Sequence, residues 1–345
     1  MKCFKLTVML TFAILSADIH TVLADTKDNS VSVYSSRKEY LIQPLLDKFT
    51  EKTGIKVKLL TGKDDALITR LGSEGKNSPA DILITADAGR LYRAKVAGLL
   101  QAVESPILQQ NIPANLRDVD NQWFGLSMRA RVIMYNKNKV SAGELSTYEA
   151  LTDPKWKGRI CIRSSDNIYN QSLLASMIAS NGEQAAEAWA KGVVANMARP
   201  PKGNDRAQMS AAVVGECDLA VANTYYYASW LTSDKAADRE NAKHLGVFFP
   251  NQNDRGAHVN VSGGGVTHFA KNKKAATELL EFLSTEDSQK WYAQVNNEYP
   301  VKPGVPASEL VQSWGYPFKA DSLNLSRLGE LNATAVKVFD RSGWK

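Results

Sequence analysis

Short apolar runs alternate with longer amphipathic stretches along most of the chain. A run of four or five apolar or β-branched residues predicts a buried strand, and apolar positions three or four residues apart predict a helix with one buried face. Strands are predicted at residues 31–34, 55–59, 81–85, 131–135, 159–162, 219–222 and 259–262. Helices are predicted at residues 40–52, 65–71, 88–96, 171–179, 184–194, 206–214, 274–283 and 286–295. This alternation is typical of an α/β protein whose parallel sheet is covered by helices on both faces.

The first residues form a different pattern, which predicts a secretion signal. Lys2 and Lys5 give a positive start, and residues 6–17 are apolar. Val22 and Ala24 then supply small or apolar side chains at the positions that a signal peptidase requires, so cleavage is expected after Ala24. The apolar stretch is shorter than the ~20 residues of a membrane-spanning helix. We therefore expect an exported, soluble mature protein.

The chain is too long for one small core. Of its 345 residues, 321 remain after removal of the first 24, and a chain of that length usually forms two lobes. The strand predicted at 131–135 is placed to cross between the lobes. We expect an N-terminal lobe of residues 25–128 plus about 256–298, and a C-terminal lobe of residues 129–255 plus about 299–345.

The charge of the chain is moderately basic. The formal net charge is +6, and the predicted signal peptide accounts for one of these positive charges, so the mature protein keeps +5. Such a protein is drawn to anions or to an anionic membrane surface. Nucleic acid is not expected as a partner, because export removes it and because the lysines are scattered among acidic residues.

Two cysteines, Cys161 and Cys217, remain after removal of the signal peptide. An even pair in an oxidising compartment predicts one disulfide, with two buried free thiols as the alternative. Cys161 lies eight residues before Tyr169, and Cys217 lies eight residues before Tyr225. This spacing favours the disulfide, because both cysteines would then lie on strands that deliver a tyrosine to the same region.

Three consecutive tyrosines, Tyr225, Tyr226 and Tyr227, follow the strand predicted at 219–222. A phenol has a pKa near 10 and is poorly suited to ordinary acid–base catalysis. Its deprotonated oxygen is a hard anionic ligand, which suits a hard, highly charged cation such as Fe(III). An aromatic cluster that packs a core or an interface is the alternative for the run taken alone.

Four segments give the chain a family resemblance: residues 33–39, 79–87, 203–206 and 215–226. They resemble periplasmic solute-binding proteins and, more narrowly, the ferric-iron-binding proteins of bacterial ABC importers. The paired tyrosines after Asn223 and Thr224 are the most specific element. The resemblance covers nearly the whole mature chain. It implies the two-lobed periplasmic binding protein fold (type II), in which each lobe is a mixed, mostly parallel sheet flanked by helices, with a hinge and a central cleft.

The resemblance also implies a set of ligands. Some members use a His and a Glu, or a Tyr after the His, from the first lobe, but Lys38, Ala86 and Glu39 stand at those places here. The remaining branch uses a third tyrosine from a segment that matches residues 163–170, and Tyr169 occupies that position. The implied ligands of the metal are therefore Tyr169, Tyr225 and Tyr226. A synergistic anion, carbonate first of all, would fill the open positions with Arg37 as its cationic partner, and Tyr227 is expected to face away and pack.

The function implied is that of a monomeric periplasmic protein that carries Fe(III) to an inner-membrane ABC permease and its ATPase. No known catalytic motif is present, so an enzyme is not expected, and the scattered His244, His258 and His268 are not expected to bind the metal. A binding protein for a small oxyanion or an organic solute is the alternative, since this fold does not fix the ligand. A run of three glycines at 263–265 lacks the Lys of a phosphate loop and is expected to be a turn or a point of close packing.

Overall fold

The computed structural model describes residues 29–345. The predicted signal peptide, residues 1–24 with cleavage after Ala24, lies outside these residues. Among the helices between residues 29 and 345, none combines the length and the apolar character that a membrane crossing needs.

Strands and helices alternate over the described part of the chain. The strands are β1 (Ser30–Ser35), β2 (Lys56–Thr61), β3 (Ile82–Ala86), β4 (Phe124–Asn136), β5 (Ile160–Cys161), β6 (Leu219–Asn223), β7 (Leu245–Phe248) and β8 (Val259–Val266). The helices of the first part are α1 (Gln43–Thr53), α2 (Asp64–Glu74), α3 (Ala88–Val96), α4 (Pro106–Asn111), α5 (Ile168–Asn181), α6 (Glu183–Asn196) and α7 (Asp205–Val213). Those of the second part are α8 (Thr224–Leu231), α9 (Ala236–Lys243), α10 (Lys273–Leu283), α11 (Glu286–Asn296), α12 (Glu309–Gln312), α13 (Ser326–Glu330) and α14 (Asn332–Ser342).

The strands form a mixed sheet in the order β2-β1-β3-β8-β4-β6-β5, and β7 pairs with β4. Parallel pairing occurs between β1 and β2, between β1 and β3, and between β5 and β6. Strand β8 runs antiparallel to β3 and β4, and β4 runs antiparallel to β6 and β7. The sheet is therefore mixed, as predicted, with parallel pairing towards its two ends.

Strand β4 joins the two halves of this sheet. Its 13 residues are paired with β8 up to Ala130 and with β6 from Arg131 onward. The predicted lobe boundary between residues 128 and 129 falls inside this strand. The expectation that the strand around 131–135 crosses from one part of the molecule to the other is confirmed.

The side chains of β4 alternate between two cores, as the two-residue repeat of a strand requires. Ala130, Val132 and Met134 enter one apolar cluster, which also contains Tyr227, whereas Ile133 enters the other. At the C-terminus, α14 packs against α5 and α6, and α13 packs against both α3 and α5. The two cores are thus built on opposite faces of a shared strand.

Two element boundaries differ from the sequence-based expectations. Helix α2 begins at Asp64, so Asp65 lies in its first turn, where it forms ion pairs with Arg90 and Arg93 and does not cap the helix. An acidic side chain is stabilised at either place, because both lie at the positive end of the helix dipole. Helix α5 begins at Ile168, three residues before the predicted start, and this brings Tyr169 into its first turn.

The three glycines at 263–265 continue strand β8, so the expected turn is wrong and the close packing is confirmed. A Cβ atom on Gly265 would lie 2.3 Å from the carbonyl oxygen of Gln122, and one on Gly263 would lie 2.5 Å from that of Phe124. Only glycine lets the neighbouring backbone approach this closely.

A Gly265→Ala substitution is expected to destabilise the protein by about 1–3 kcal/mol, because the added methyl group forces the backbone at Gln122 to move. Urea denaturation monitored by circular dichroism measures this change. Gly143→Ala is the matched control, since a Cβ there meets nothing within 4 Å. Its stability should stay within about 0.5 kcal/mol of the wild type. An equal stability of the two variants would show that the backbone around β8 yields freely.

Candidate metal site

Tyr225 and Tyr226 lie where the chain changes from strand to helix. Strand β6 ends at Asn223, and α8 begins at Thr224, so both tyrosines belong to the first turn of the helix. In that geometry two adjacent side chains can reach the same region, which they could not do in a continuing strand. Their ring centroids are 4.3 Å apart.

Tyr227 points the other way. It is buried with Trp230 in the apolar cluster on the far face of α8, and its ring packs edge-on against Trp314 with 5.5 Å between centroids. Its hydroxyl lies 3.4 Å from the carbonyl oxygens of Ala242 and Leu245. The expectation that Tyr227 packs while its two neighbours face elsewhere agrees with this arrangement.

The structure brings Tyr169 to the same place from a different element. Tyr169 is the second residue of α5, and its phenol oxygen lies 3.3 Å from that of Tyr225. Two ligands of one metal, each at ~2.0–2.6 Å from it, cannot be farther apart than ~5 Å, and this pair meets that limit. Tyr226 lies against Tyr225, so the three predicted ligands form one cluster.

The surroundings of Tyr225 and Tyr226 favour the protonated form of both phenols. Burial, followed by the neighbouring phenols and Asp205, raises the pKa of Tyr225 well above its usual value of 10.0. Burial, Tyr169 and Asp205 raise the pKa of Tyr226 to about 12. A cation that entered the cluster would reverse this balance, because it stabilises the phenolate form.

Three arginines surround the phenols, and the sequence did not single them out as site residues. The guanidinium carbons of Arg129 and Arg163 lie 5.6 and 5.8 Å from the ring centroid of Tyr169. That of Arg206 lies 5.0 Å from the ring centroid of Tyr226. Arg206 occurs in one of the four segments that carried the family resemblance, and Arg163 begins the segment that matched the third tyrosine, so their charge was a usable signal. These cations partly offset the burial of the phenols.

Arg37, the predicted partner of an anion, lines the same cleft but is already paired. Its guanidinium donates to the carboxylate of Glu298 and to the hydroxyl of Ser127, and it lies 5.1 Å from the ring centroid of Tyr292. The Nε atom of Arg37 is buried without a hydrogen-bond partner. Arg37 therefore keeps donor capacity, although its charge is balanced by Glu298.

The cleft between these residues has a volume of about 670 Å³. One side is lined by Tyr169, Tyr225, Tyr226 and Arg206, and the other by Ser36, Arg37, Lys38, Tyr40, Leu41, Asp64 and Ala86. Lys38 and Ala86, which stand where relatives have His and Glu, are both in the lining, whereas Glu39 is not. Tyr40 also lines the cleft and is 65% exposed, a further phenol that the sequence did not point to.

Nitrogen, sulfur and carboxylate ligands are not assembled elsewhere in the described part of the chain. Between residues 29 and 345, no group of three or more His, Cys, Asp or Glu is arranged to hold a metal ion. His258 is buried, and burial together with Arg255, Arg131 and Arg129 lowers its pKa well below the usual 6.5. The tyrosine cluster is therefore the candidate metal site.

Cys161 and Cys217 form the predicted disulfide, with their Cα atoms 5.9 Å apart. The bond joins β5 to the residues that precede β6. These two neighbouring strands lead into the elements that carry Tyr169 and Tyr225.

Comparison with known proteins places the chain among exported binding proteins. The profile of the family described as bacterial extracellular solute-binding protein matches residues 45–318. The chain is 52% identical to iron uptake protein A1 of Synechocystis, over 94% of this chain and 90% of that protein. It is 30% identical to the major ferric iron-binding protein of Neisseria meningitidis, over 97% of this chain and 99% of that one. A Trichodesmium protein (IdiA, FutA), solved in complex with iron and citrate ligands, matches with a TM-score of 0.90 at 55% identity, over 92% of this chain and 100% of that one.

Proposed function

The chain belongs to the bacterial extracellular solute-binding protein family, and we propose that it binds Fe(III) in the periplasm through the phenolates of Tyr169, Tyr225 and Tyr226. An anion, carbonate first of all, completes the coordination, and Arg37 is its cationic partner. The protein then delivers the metal, as a monomer, to an inner-membrane ABC permease that works with its ATPase. The observation that carries the proposal is the 3.3 Å approach of the Tyr169 and Tyr225 oxygens beside Tyr226.

The comparisons with known proteins bear on both the fold and the kind of function of this chain. The likeness to solved iron-binding proteins confirms the predicted two-lobed α/β fold. The relatives are iron uptake and iron-binding proteins, which confirms the expectation that the chain is not an enzyme.

Charge balance supports three phenolates as ligands of Fe(III). Three anionic oxygens neutralise the metal formally, and the hard phenolate suits the hard ferric ion. Three ligands leave coordination positions open, and a bidentate anion would occupy two of them. Such an anion needs a cation nearby, and the planar fork of an arginine matches a carbonate or carboxylate edge. The position of Arg37 in the cleft lining, with an Nε atom that has no hydrogen-bond partner, supports it in that role.

Binding of an oxyanion or an anionic organic solute is the second candidate. Arg37, Lys38, Arg129 and Arg206 all line a cleft of about 670 Å³, which is larger than a metal ion and carbonate require. Such a lining would favour an anion even without iron. The two candidates differ in whether the phenols ionise on binding.

Titration with ferric citrate in bicarbonate buffer tests the proposal. The mature wild-type protein should take up one iron per chain and gain the visible charge-transfer absorption of an iron–phenolate complex, since phenolate donates electron density to Fe(III). An uncoloured protein that instead binds a phosphate, sulfate or carboxylate tightly would favour the second candidate.

The role of Arg37 is tested in the same titration by the double variant Arg37→Gln with Glu298→Gln. Replacing both partners avoids a buried unpaired carboxylate, which would cost about 3–5 kcal/mol on its own. The double variant should lose the bicarbonate dependence of iron uptake, whereas Glu298→Gln alone should keep it. Equal bicarbonate dependence in all three proteins would remove Arg37 from the anion site.

A further inference from the structure

The guanidinium of Arg131 contacts both of the segments that carry the phenols. Arg131 lies in β4 and is only 2% exposed. Its Nη2 donates to the side-chain oxygen of Asn170 at 2.7 Å, and its Nη1 donates to that of Asn223 at 3.1 Å. Nη1 also lies 3.0 Å from a carboxylate oxygen of Asp205, which forms an ion pair. One planar group thus joins three separate elements.

Each of the two asparagines is directly connected to a tyrosine of the cluster. Asn170 follows Tyr169 in α5, and its amide nitrogen donates to the carbonyl oxygens of Arg163 and Ser164, at 2.7 and 3.1 Å. The amide nitrogen of Asn223 lies 3.4 Å from the phenol oxygen of Tyr225. The chain of contacts from Arg131 therefore ends at both phenol-bearing segments.

The hydrogen bonds from residue 131 to Asn170 and Asn223 require an arginine at that position. The guanidinium presents its donors in a rigid plane, so two acceptors bound to it are held at a fixed separation, whereas the ammonium of a lysine is a single point. The charge of Arg131 is also paired, because Asp205 forms an ion pair with it and with Arg163. The buried group is thus paired, and its cost in free energy is offset by several hydrogen bonds.

We propose that Arg131 is a positioning residue, which sets the separation of the Tyr169 and Tyr225 oxygens by clamping Asn170 and Asn223. This inference rests on the proposed function, since it assigns a role to Arg131 only if the phenols bind iron. Arg131 itself does not touch the metal. It acts on the position of the phenols through the two asparagines.

The Arg131→Lys variant tests the clamp. Loss of a residue that orients ligands typically lowers metal affinity by about 10–100-fold, and we expect that range for Fe(III) here. The visible absorption per bound iron should also shift and weaken, because one phenolate is no longer held at bonding distance. Thermal unfolding of the iron-free protein is measured in parallel. A lower Tm with an unchanged affinity and spectrum would mean that Arg131 only stabilises the fold, and would overturn the proposal.

The Asn170→Ala variant keeps the Arg131–Asp205 ion pair and removes one arm of the clamp. Asn196→Ala is its matched control, because Asn196 is also buried and its amide nitrogen also donates to two backbone carbonyls, those of Leu151 and Asp153, each at 2.9 Å. Both variants should lose stability, but only Asn170→Ala should change the spectrum and affinity of the iron complex. Equal spectra in the two loaded variants would contradict the clamp.

The combination of variants separates this inference from the proposed function. If the wild type itself forms no coloured complex with ferric citrate, the proposed function fails. If the wild type is coloured and the Arg131→Lys and Asn170→Ala proteins match it in affinity and spectrum, only the clamp fails. The variant that combines Arg131→Lys with Asn170→Ala should lose no more affinity for Fe(III) than Arg131→Lys alone. The effects of contacting residues that act as one unit are not additive.

Discussion

The Tyr226→Phe variant should fail to form the coloured iron complex and should bind Fe(III) at least about 100-fold more weakly, because a direct ligand matters at least as much as the residues that orient it. The substitution removes one oxygen and keeps the ring that packs against Tyr225 at a tilt. Two phenolates would leave the ferric ion with a net positive charge and an additional open position. Titration with ferric citrate, followed by absorbance and by competition with a chelator, measures both losses.

Tyr227→Phe provides the matched control for this experiment. It removes the same atom from the adjacent residue, whose hydroxyl contacts only the backbone oxygens of Ala242 and Leu245 at the outer limit of a hydrogen bond. This variant should keep the full colour and affinity. If the iron complex of Tyr226→Phe also absorbed visible light as strongly as that of the wild type, the assignment of Tyr226 as a ligand would be wrong.

Iron binding should weaken steeply in acid. The pKa of Tyr226 is raised to about 12 and that of Tyr225 is raised well above 10.0, so both phenols are protonated at neutral pH before iron binds. Binding of Fe(III) as a phenolate complex therefore releases a proton from each of them. Lower pH opposes this release, and the affinity falls by about tenfold per pH unit for each proton released. An exposed tyrosine is also protonated at neutral pH, so burial leaves this slope unchanged and instead lowers the affinity at every pH by raising the pKa of the phenols.

The number of protons released per iron is the direct measurement, made by loading the protein in weakly buffered solution with a fully ionised ferric chelate. The phenols of the wild type should contribute up to about three protons, one each, in addition to any proton that bicarbonate gives up on binding as carbonate, and Tyr226→Phe should release one fewer for each iron that it still binds. An anion bound only by the arginines of the cleft would release none, since arginine does not titrate in this range. Iron uptake without proton release would therefore contradict the phenolate site.

Long periodic segments account for the parts of the fold that the sequence predicted well. Helix α3 has the predicted bounds, Ala88–Val96, because a regular apolar face begins directly after a buried strand. The glycine run in β8 was wrongly expected to be a possible turn, because no regular local pattern sets its conformation. Its conformation is set by the backbone of Gln122 and Phe124, which contact it from a distant part of the chain. No local pattern carries that information.

The residues of the candidate site also divide into those that a local sequence pattern revealed and those that only the structure revealed. The paired tyrosines are adjacent in sequence and could be singled out at once, and Tyr169 was found through the segment around it. Arg129 and Arg131 were not, because they lie on β4, far from the tyrosines in sequence, and approach them only where β4 passes between the two halves of the sheet. The ion pair between Arg37 and Glu298 joins residues 261 positions apart and was equally invisible. Charged side chains that only the folded topology brings together can be identified only from the structure.

The three proposed iron ligands lie on helices that follow neighbouring strands, β5 and β6, and so move with one wall of the cleft. Arg37 belongs to the opposite wall. If the cleft opened, the metal would lose the partner of its anion but would keep every phenolate. If these three residues are the ligands, release of the metal requires that the phenolates themselves let it go, as protonation of the phenols would make them do. A purely mechanical separation of the walls would leave the iron in place.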